Sequence, residues 1–247
     1  MSSSPGPSEH GCEVGIVCAL HIEIAPFLER AQHVKKVRGG EFTFYGVRLG
    51  EQRIAIVETG VGSKLARQGT HALIDAHAPP WILSAGLSGG LTEQTKRGNL
   101  VFANAVSLAE PREVLQLSPP QFPAQPGVHV GQLVTVSQIV RLVSEKQQLH
   151  AQTGALAVDM ESYHVGQACL EREIPFAALR VIGDDLSADL PPEILGILGP
   201  KGTVRAGAVV GALWNRPSCL TDLWKLREQT LEAADQLAKC LVEILKK

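Results

Sequence analysis

Apolar residues along the chain come in short dense runs, separated by stretches in which they recur every three or four positions. EVGIVCAL (13–20) is the first such run and predicts a buried strand; IEIAPFLERA after it has helical spacing. TFYGVRLG and QRIAIVETG flank Gly50–Glu51 and predict a hairpin. A helix comes next in SKLARQGTHALIDAHA, then a strand in WILSAG and another in NLVFANAVSLA. Five prolines between 109 and 131 (Pro111, Pro119, Pro120, Pro123 and Pro126) predict a long irregular loop. QLVTV, a helix to about His150, the strand ALAVDM, the helix ESYHVGQACLERE and the strand PFAALRVIG continue the alternation. The last element is a helix over 219–246, with Leu223, Leu226, Leu231, Ala234, Leu237, Leu241 and Ile244 along one face.

Buried runs alternating with helices predict a mainly parallel sheet covered on both faces. The pattern has no linker, so one domain is expected over 13–247. A short disordered tail is expected over 1–12, whose Ser/Pro/Gly composition has little to bury.

Composition narrows the class. The chain of 247 residues is long enough to close an α/β core, and 45% hydrophobic content excludes collagen-like, coiled-coil and disordered classes. Lys plus Arg is 23 and Asp plus Glu is 25, a net charge of −2 that argues against nucleic-acid partners. No apolar run approaches the roughly 18 residues of a membrane span. Five scattered cysteines (Cys12, Cys18, Cys169, Cys219, Cys240) point to reduced thiols and a cytoplasmic setting. MSSSPGPSEHG lacks the basic and apolar regions of a signal peptide, and eight histidines lack metal-binding spacing, so no metal or cofactor is expected.

In open α/β sheets ligands bind beyond the carboxyl ends of the strands. The residues just past each predicted strand therefore map the site: His21-Ile22-Glu23, ETGVGS, the glycine-rich LSGGL (87–91), Met160-Glu161 and Asp184-Asp185. Acidic residues and glycine turns gather on this rim and basic residues do not, which favours a neutral polyol or nucleoside. Each residue also has a purely structural reading. Glu23 could complement a helix dipole, one of Asp159 and Glu161 could be an N-cap, and Asp184-Asp185 could start a turn. The glycine run could serve close packing, and it is no P-loop because no GK[ST] motif comes after it. Asp75 and His77 read as surface residues.

Taken in order, GIVCALHIEIAPF, VETGVGS, SAGLSGGLTEQTKRGNLVFANAV, AVDMES and PFAALRVIGDD resemble the nucleoside phosphorylase superfamily, and within it the methylthioadenosine/S-adenosylhomocysteine nucleosidases. The resemblance is colinear from about residue 13 to 245. GALAVDMES and DLSADLPPE also resemble the hopanoid-associated phosphorylases. The resemblance implies a three-layer α/β/α sandwich around a mixed, partly barrel-like central sheet, working as a homodimer. Val101, Phe102, Trp214 and Trp224 lie on elements the family uses for subunit contact. It also implies that Glu23 activates water and that Asp184 protonates the departing purine. Met160 and Glu161 would hold the ribose hydroxyls, Ser88 and Gly89 would contact substrate, and Val140 would touch the base through its backbone. Val61 would line the pocket for the 5′ substituent.

These residue types suit the chemistry. Cleaving a ribosyl C–N bond passes through an oxocarbenium-like sugar, as in glycoside hydrolysis. A purine leaves poorly as an anion, so an acid must serve N7, and burial would raise Asp184 enough to act. Glu161 would accept from both ribose hydroxyls and face the positive charge, and Glu23 would take a proton from water. Two positions depart from the nucleosidase pattern: Leu87 and Gly183 stand where serines are usual. Phosphorylases place arginines beside the glycine turn, and WILSAGLSGG has none, with Arg67, Arg112 and Arg180 placed elsewhere. The expected activity is hydrolysis of adenine from a 5′-substituted adenosine. The alternatives are phosphorolysis of a hydrophobic adenosyl compound such as adenosylhopane, and a non-catalytic nucleoside-binding protein.

Overall fold

The computed structural model describes residues 12–110, 113–118, 125–192, 194 and 219–246. The predicted first strand is β1 (Val14–Cys18), followed by α1 (His21–Leu28). An unforeseen strand, β2 (Gln32–Gly39), precedes the predicted hairpin of β3 (Phe42–Leu49) and β4 (Gln52–Glu58), which turns at Gly50 with φ +61°. After α2 (Ser63–His77) come β5 (Ile82–Gly90) and β6 (Leu100–Leu108). The proline-rich stretch is not one loop. Within it Val114–Gln116 forms β7 against β6, and β8 (Val128–Thr135) begins before its expected end. The chain continues through α3 (Val143–Thr153), β9 (Ala157–Asp159), α4 (Ser162–Leu170), β10 (Phe176–Asp184) and α5 (Cys219–Leu245).

The expectation of a mainly parallel sheet needs correction, since five of the ten strand pairings among the described residues are antiparallel. The strands run β10-β6-β8-β9-β5-β1-β4-β3-β2, and an additional β10–β5 pairing closes β5, β10, β6, β8 and β9 into a five-stranded barrel. This is the mixed, partly barrel-like sheet of the expected α/β/α class. α1 and α5 pack together on one side, and α2 and α4 on the other. α5 buries Ala234, Leu237, Ala238, Leu241 and Leu245, a stripe at helical spacing, against β5 and β10.

The glycine-rich GLSGG is not a turn. It extends β5, with Ser88 opposite Ile182 of β10 and Gly89 opposite Val158 of β9. Glycine is needed there for close approach: a Cβ on Gly86 would sit 2.7 Å from Glu23 Oε1, and one on Gly90 2.4 Å from the Thr95 carbonyl.

Val101 and Phe102 are also corrected. Both are core residues, 0% and 3% exposed, and offer no surface for a partner. Trp214, the Trp224 side chain, Arg112 and residues 1–11 of the expected tail lie outside the described residues. Cys12, counted with that tail, is placed, with its thiol on the His77 carbonyl at 3.8 Å. Cys18, Cys169 and Cys240 are buried free thiols. No helix among the described residues is long and apolar enough to cross a membrane.

Candidate active site

The carboxyl ends of β1, β4, β5, β9 and β10 converge on a cavity of about 210 Å³. Glu23, Val61, Ser88, Gly89, Val140, Met160, Glu161 and Asp184 all line it, joined by Leu87, Asp159 and Gly183. Apolar side chains of Ile139, Leu190, Ile194 and Leu226 add to the wall, and the sequence marks none of these four as a site residue.

Glu23 stands at the third position of α1. Its Oε2 accepts from the backbone N–H groups of Ala19 (2.9 Å) and Leu20 (2.8 Å), so it does cap its own helix. Its Oε1 leaves the helix and accepts from Leu87 N–H at 2.9 Å. Burial raises its pKa, and the N–H donors only partly offset that.

The AVDMES segment resolves which acid is the cap. Asp159 accepts from Ser162 N–H at 3.2 Å, from Thr135 Oγ1 at 2.7 Å and from Arg180 Nε at 2.8 Å. Glu161 holds the N-cap position of α4 but makes no side-chain capping bond. Its Oε1 accepts from Gly62 N–H at 2.8 Å and its Oε2 from Met160 N–H at 3.3 Å. Gly62 has φ +103°, a conformation that favours glycine, and it stands at the positive end of α2. Burial and the nearby Asp159 charge push the Glu161 pKa to about 8.

Asp184 owes its direction to a register shift in β10 between Ile182 and Asp184, a bulge that re-aims the side chain. Its neighbour Asp185 is turned elsewhere: it accepts from Arg97 N–H and Ser187 N–H, each at 2.9 Å. Although burial opposes them, these donors hold Asp185 down at about 2. Burial raises Asp184 instead, opposed by Lys146, whose Nζ is hydrogen-bonded to Asp184 Oδ2 and, at 3.0 Å, to the Asp185 carbonyl.

The two departures from the nucleosidase pattern prove to be neighbours. A Cβ on Gly183 would meet Leu87 Cδ2 at 3.1 Å, so the leucine occupies space that the glycine leaves.

Four carboxylates thus share one cavity, and no Lys or Arg is among its described lining residues. Asp159 is neutralised from behind by Arg180, which also donates to Ser84 Oγ at 2.9 Å, and Asp184 by Lys146. Glu23 and Glu161 are held mainly by backbone N–H groups. Arg67 is engaged by Glu171 at 2.6 Å, and Asp75 by Arg172 at 3.0 Å. Sequence reasoning missed Lys146 altogether, because EKQQL reads as a solvated helix face.

Known proteins carry the same arrangement of chain. The family model for the phosphorylase superfamily matches residues 13–194. A 5′-methylthioadenosine/S-adenosylhomocysteine nucleosidase of Pseudoalteromonas translucida is 26% identical over 206 residues, 72% of this chain and 86% of that protein. The nucleosidase of that name from Neisseria meningitidis, solved with methylthio-immucillin-A, superimposes with a TM-score of 0.70 at 21% identity, over 94% of this chain and 98% of that one. Futalosine hydrolase of Helicobacter pylori gives a TM-score of 0.69 at 18% identity, over 94% of this chain and 97% of that one. At such identities the structural likeness speaks for the fold. Since the family model spans well over half the sequence, the chain belongs to the phosphorylase superfamily.

Proposed function

We propose that the protein is a purine nucleosidase that hydrolyses adenine from a 5′-substituted adenosine of the methylthioadenosine/S-adenosylhomocysteine type. The observation that carries this reading is the single cavity walled by Glu23, Glu161 and Asp184, with no cation among its described lining residues. In this reading Asp184 gives a proton to N7 as the C1′–N9 bond breaks, and the bonding pair passes into the purine. Glu161, kept ionised in the complex by the ribose hydroxyls that donate to it, faces the positive charge that develops on the sugar. Glu23 removes a proton from the attacking water. Val61, Met160 and the apolar side chains of Ile139, Leu190 and Leu226 suit an apolar 5′ group.

The experiment is a product assay on methylthioadenosine, S-adenosylhomocysteine, futalosine and an adenosine with a long aliphatic 5′ chain, each with and without phosphate. Adenine release without phosphate from at least one 5′-substituted adenosine supports the reading, and release from none of them removes it. The reading takes 13–247 as one domain and the working unit as a homodimer. A stable monomer in sedimentation at micromolar concentration would remove the dimer.

Glu161 gives a prediction with a sign in pH. Its pKa is about 8 in the folded chain, and an unfolded glutamate ionises near about 4.3. Between these values the folded chain keeps a proton that the unfolded chain has lost. The residue's contribution to stability is full below about pH 4 and is lost as pH rises through about 8. Glu161→Gln cannot ionise, so its Tm should exceed the wild-type value at pH 9, with no such gain at pH 4. The same variant should lose kcat/KM, more for ribo- than for 2′-deoxyribo substrates, which already lack one partner for the carboxylate. Equal losses on the two substrates would show that Glu161 does not hold the ribose.

A further inference from the structure

Lys146 is a fully buried cation beside the site that the proposed chemistry leaves unused. It lies in the first turn of α3, where its ammonium opposes the helix dipole, and its side chain is 0% exposed. Leu149, three residues on, shares its buried face. A buried ion pair does little for stability against an apolar replacement of the same size. The placement therefore asks for another reason, and the partner supplies it: Lys146 Nζ meets Asp184 Oδ2 on the side away from the cavity and is tied to the Asp185 carbonyl at 3.0 Å.

We infer that Lys146 is a positioning residue for the leaving-group acid, fixing the Asp184 carboxyl from behind and neutralising the charge it acquires when its proton passes to the purine. This rests on the proposed nucleosidase reading. In the step concerned, the Asp184 O–H bond breaks, an N7–H bond forms, and the C1′–N9 pair enters the purine. Asp184 becomes a carboxylate, and without Lys146 that charge would be stranded in a low-dielectric pocket. The other charged groups around Asp184 are few. Arg97 comes from the segment between β5 and β6, Asp185 is next in the chain, and Arg141 and Asp189 line the outer pocket on this side. Glu23 and Glu161 line the cavity that Asp184 faces. Of these, Lys146 is the cation hydrogen-bonded to the Asp184 carboxylate.

The test compares Lys146→Gln, which keeps a donor but no charge, with Lys146→Arg, which keeps the charge. Lys146→Gln should lower kcat for adenine release about 10- to 100-fold, a part of what an acid contributes. It should also move the alkaline limb of kcat/KM upward by about one pH unit, because a carboxyl without its cation holds its proton longer. Lys146→Arg should keep the limb in its wild-type place. On 4-nitrophenyl 5-methylthioriboside, whose 4-nitrophenolate departs without protonation, Lys146→Gln should lose far less rate than on the adenosine substrate. In an Asp184→Asn background it should cost no further rate. A structural role predicts the reverse: equal losses on both leaving groups, full additivity with Asp184→Asn and an unmoved pH limb. Those results would overturn the inference, as would an unchanged kcat. Should Lys146→Gln fail to fold, Lys146→Arg decides alone: a displaced limb together with a loss on the nitrophenyl riboside equal to that on the 5′-substituted adenosine would overturn it. If Asp184→Asn itself kept its rate, the nucleosidase reading would be at fault. If Asp184→Asn lost its rate and Lys146 did not matter, only the role of Lys146 would fall.

Discussion

Asp184→Asn should lower kcat for adenine release by about 10²–10⁴-fold, the usual contribution of a positioned acid. Purine binding should survive. The asparagine can turn its carbonyl to Lys146 and its NH2 into the cavity, where it donates to N7 without transferring a proton. Stability should not be untouched, however. The substitution leaves the Lys146 ammonium buried with only neutral partners, the introduced amide and the Asp185 carbonyl at 3.0 Å. Removing one partner of a buried pair costs on the order of 3–5 kcal/mol when the other stays charged, and less if the lysine sheds its proton. The expected result is a folded protein of lower Tm that binds purine and scarcely turns over. Rate per folded molecule, with Tm and adenine affinity measured beside it, separates the two effects. Near wild-type turnover would remove Asp184 as the acid. Asp185 would not be its natural substitute, since its carboxylate is engaged by Arg97 and Ser187 N–H groups and stays ionised down to about 2.

Why so much of this site was legible in the sequence can be put physically. A strand buried on both faces reads as an apolar run, and in β1, β9 and β10 that run ends where the chain meets the cavity. A polar residue just past such a run is conspicuous, and Glu23, Glu161 and Asp184 stand out that way. The features that failed to show have equally physical causes. β2 is exposed along its whole length and rich in Lys and Arg, so it carries no alternation of burial to detect. The GLSGG stretch reads as a turn because glycine is the commonest turn residue, yet here glycine admits Glu23 Oε1 and the Thr95 carbonyl against an extended strand. Barrel closure is set by β5 pairing with both β9 and β10, a long-range choice that no local window contains. Lys146 and Arg180 were invisible as counter-ions for the same reason. Each meets its carboxylate only in space, across 38 and 21 positions of chain.

The choice between Asp159 and Glu161 shows where sequence reasoning stops. Both acids flank Met160 at a strand-to-helix junction, and either could cap α4. Three partners decide it: Thr135 and Arg180 hold Asp159 in place to cap Ser162 N–H, and Gly62 draws Glu161 towards the cavity. The capping hydrogen bond is supplied by one acid, and the other is left with a raised pKa and a place in the cavity wall.

Adenine release should proceed in phosphate-free buffer, yield the free ribosyl sugar and be lost in Glu23→Gln. Binding a phosphate dianion in a small site calls for oriented N–H donors and at least one cation, usually Arg for its planar fork. The cavity offers no Arg or Lys among its described lining residues, Arg67 is engaged at the surface by Glu171, and Arg180 is buried against Asp159 and Ser84. Glu23 itself works against the anion, since like charges about 4 Å apart at an effective dielectric of about 20 repel by ~4 kcal/mol. The same group suits water. Its pKa is raised by burial, which strengthens it as a base, while N–H donors from Ala19, Leu20 and Leu87 partly oppose the rise. Activity should therefore fall as pH drops through the Glu23 pKa. Glu23→Gln removes the base and does further harm. A glutamine accepts through one oxygen only, so its NH2 must face either the Leu87 N–H or those of Ala19 and Leu20. Setting donor against donor in a buried site costs about 1–3 kcal/mol. The rate per folded molecule should still drop by at least about 10²-fold beyond that loss of stability. Strict dependence on added phosphate, with ribose 1-phosphate as product, would overturn the hydrolase in favour of a phosphorylase. Retention of hydrolysis by folded Glu23→Gln would leave the hydrolase standing and take the water-activating role from Glu23.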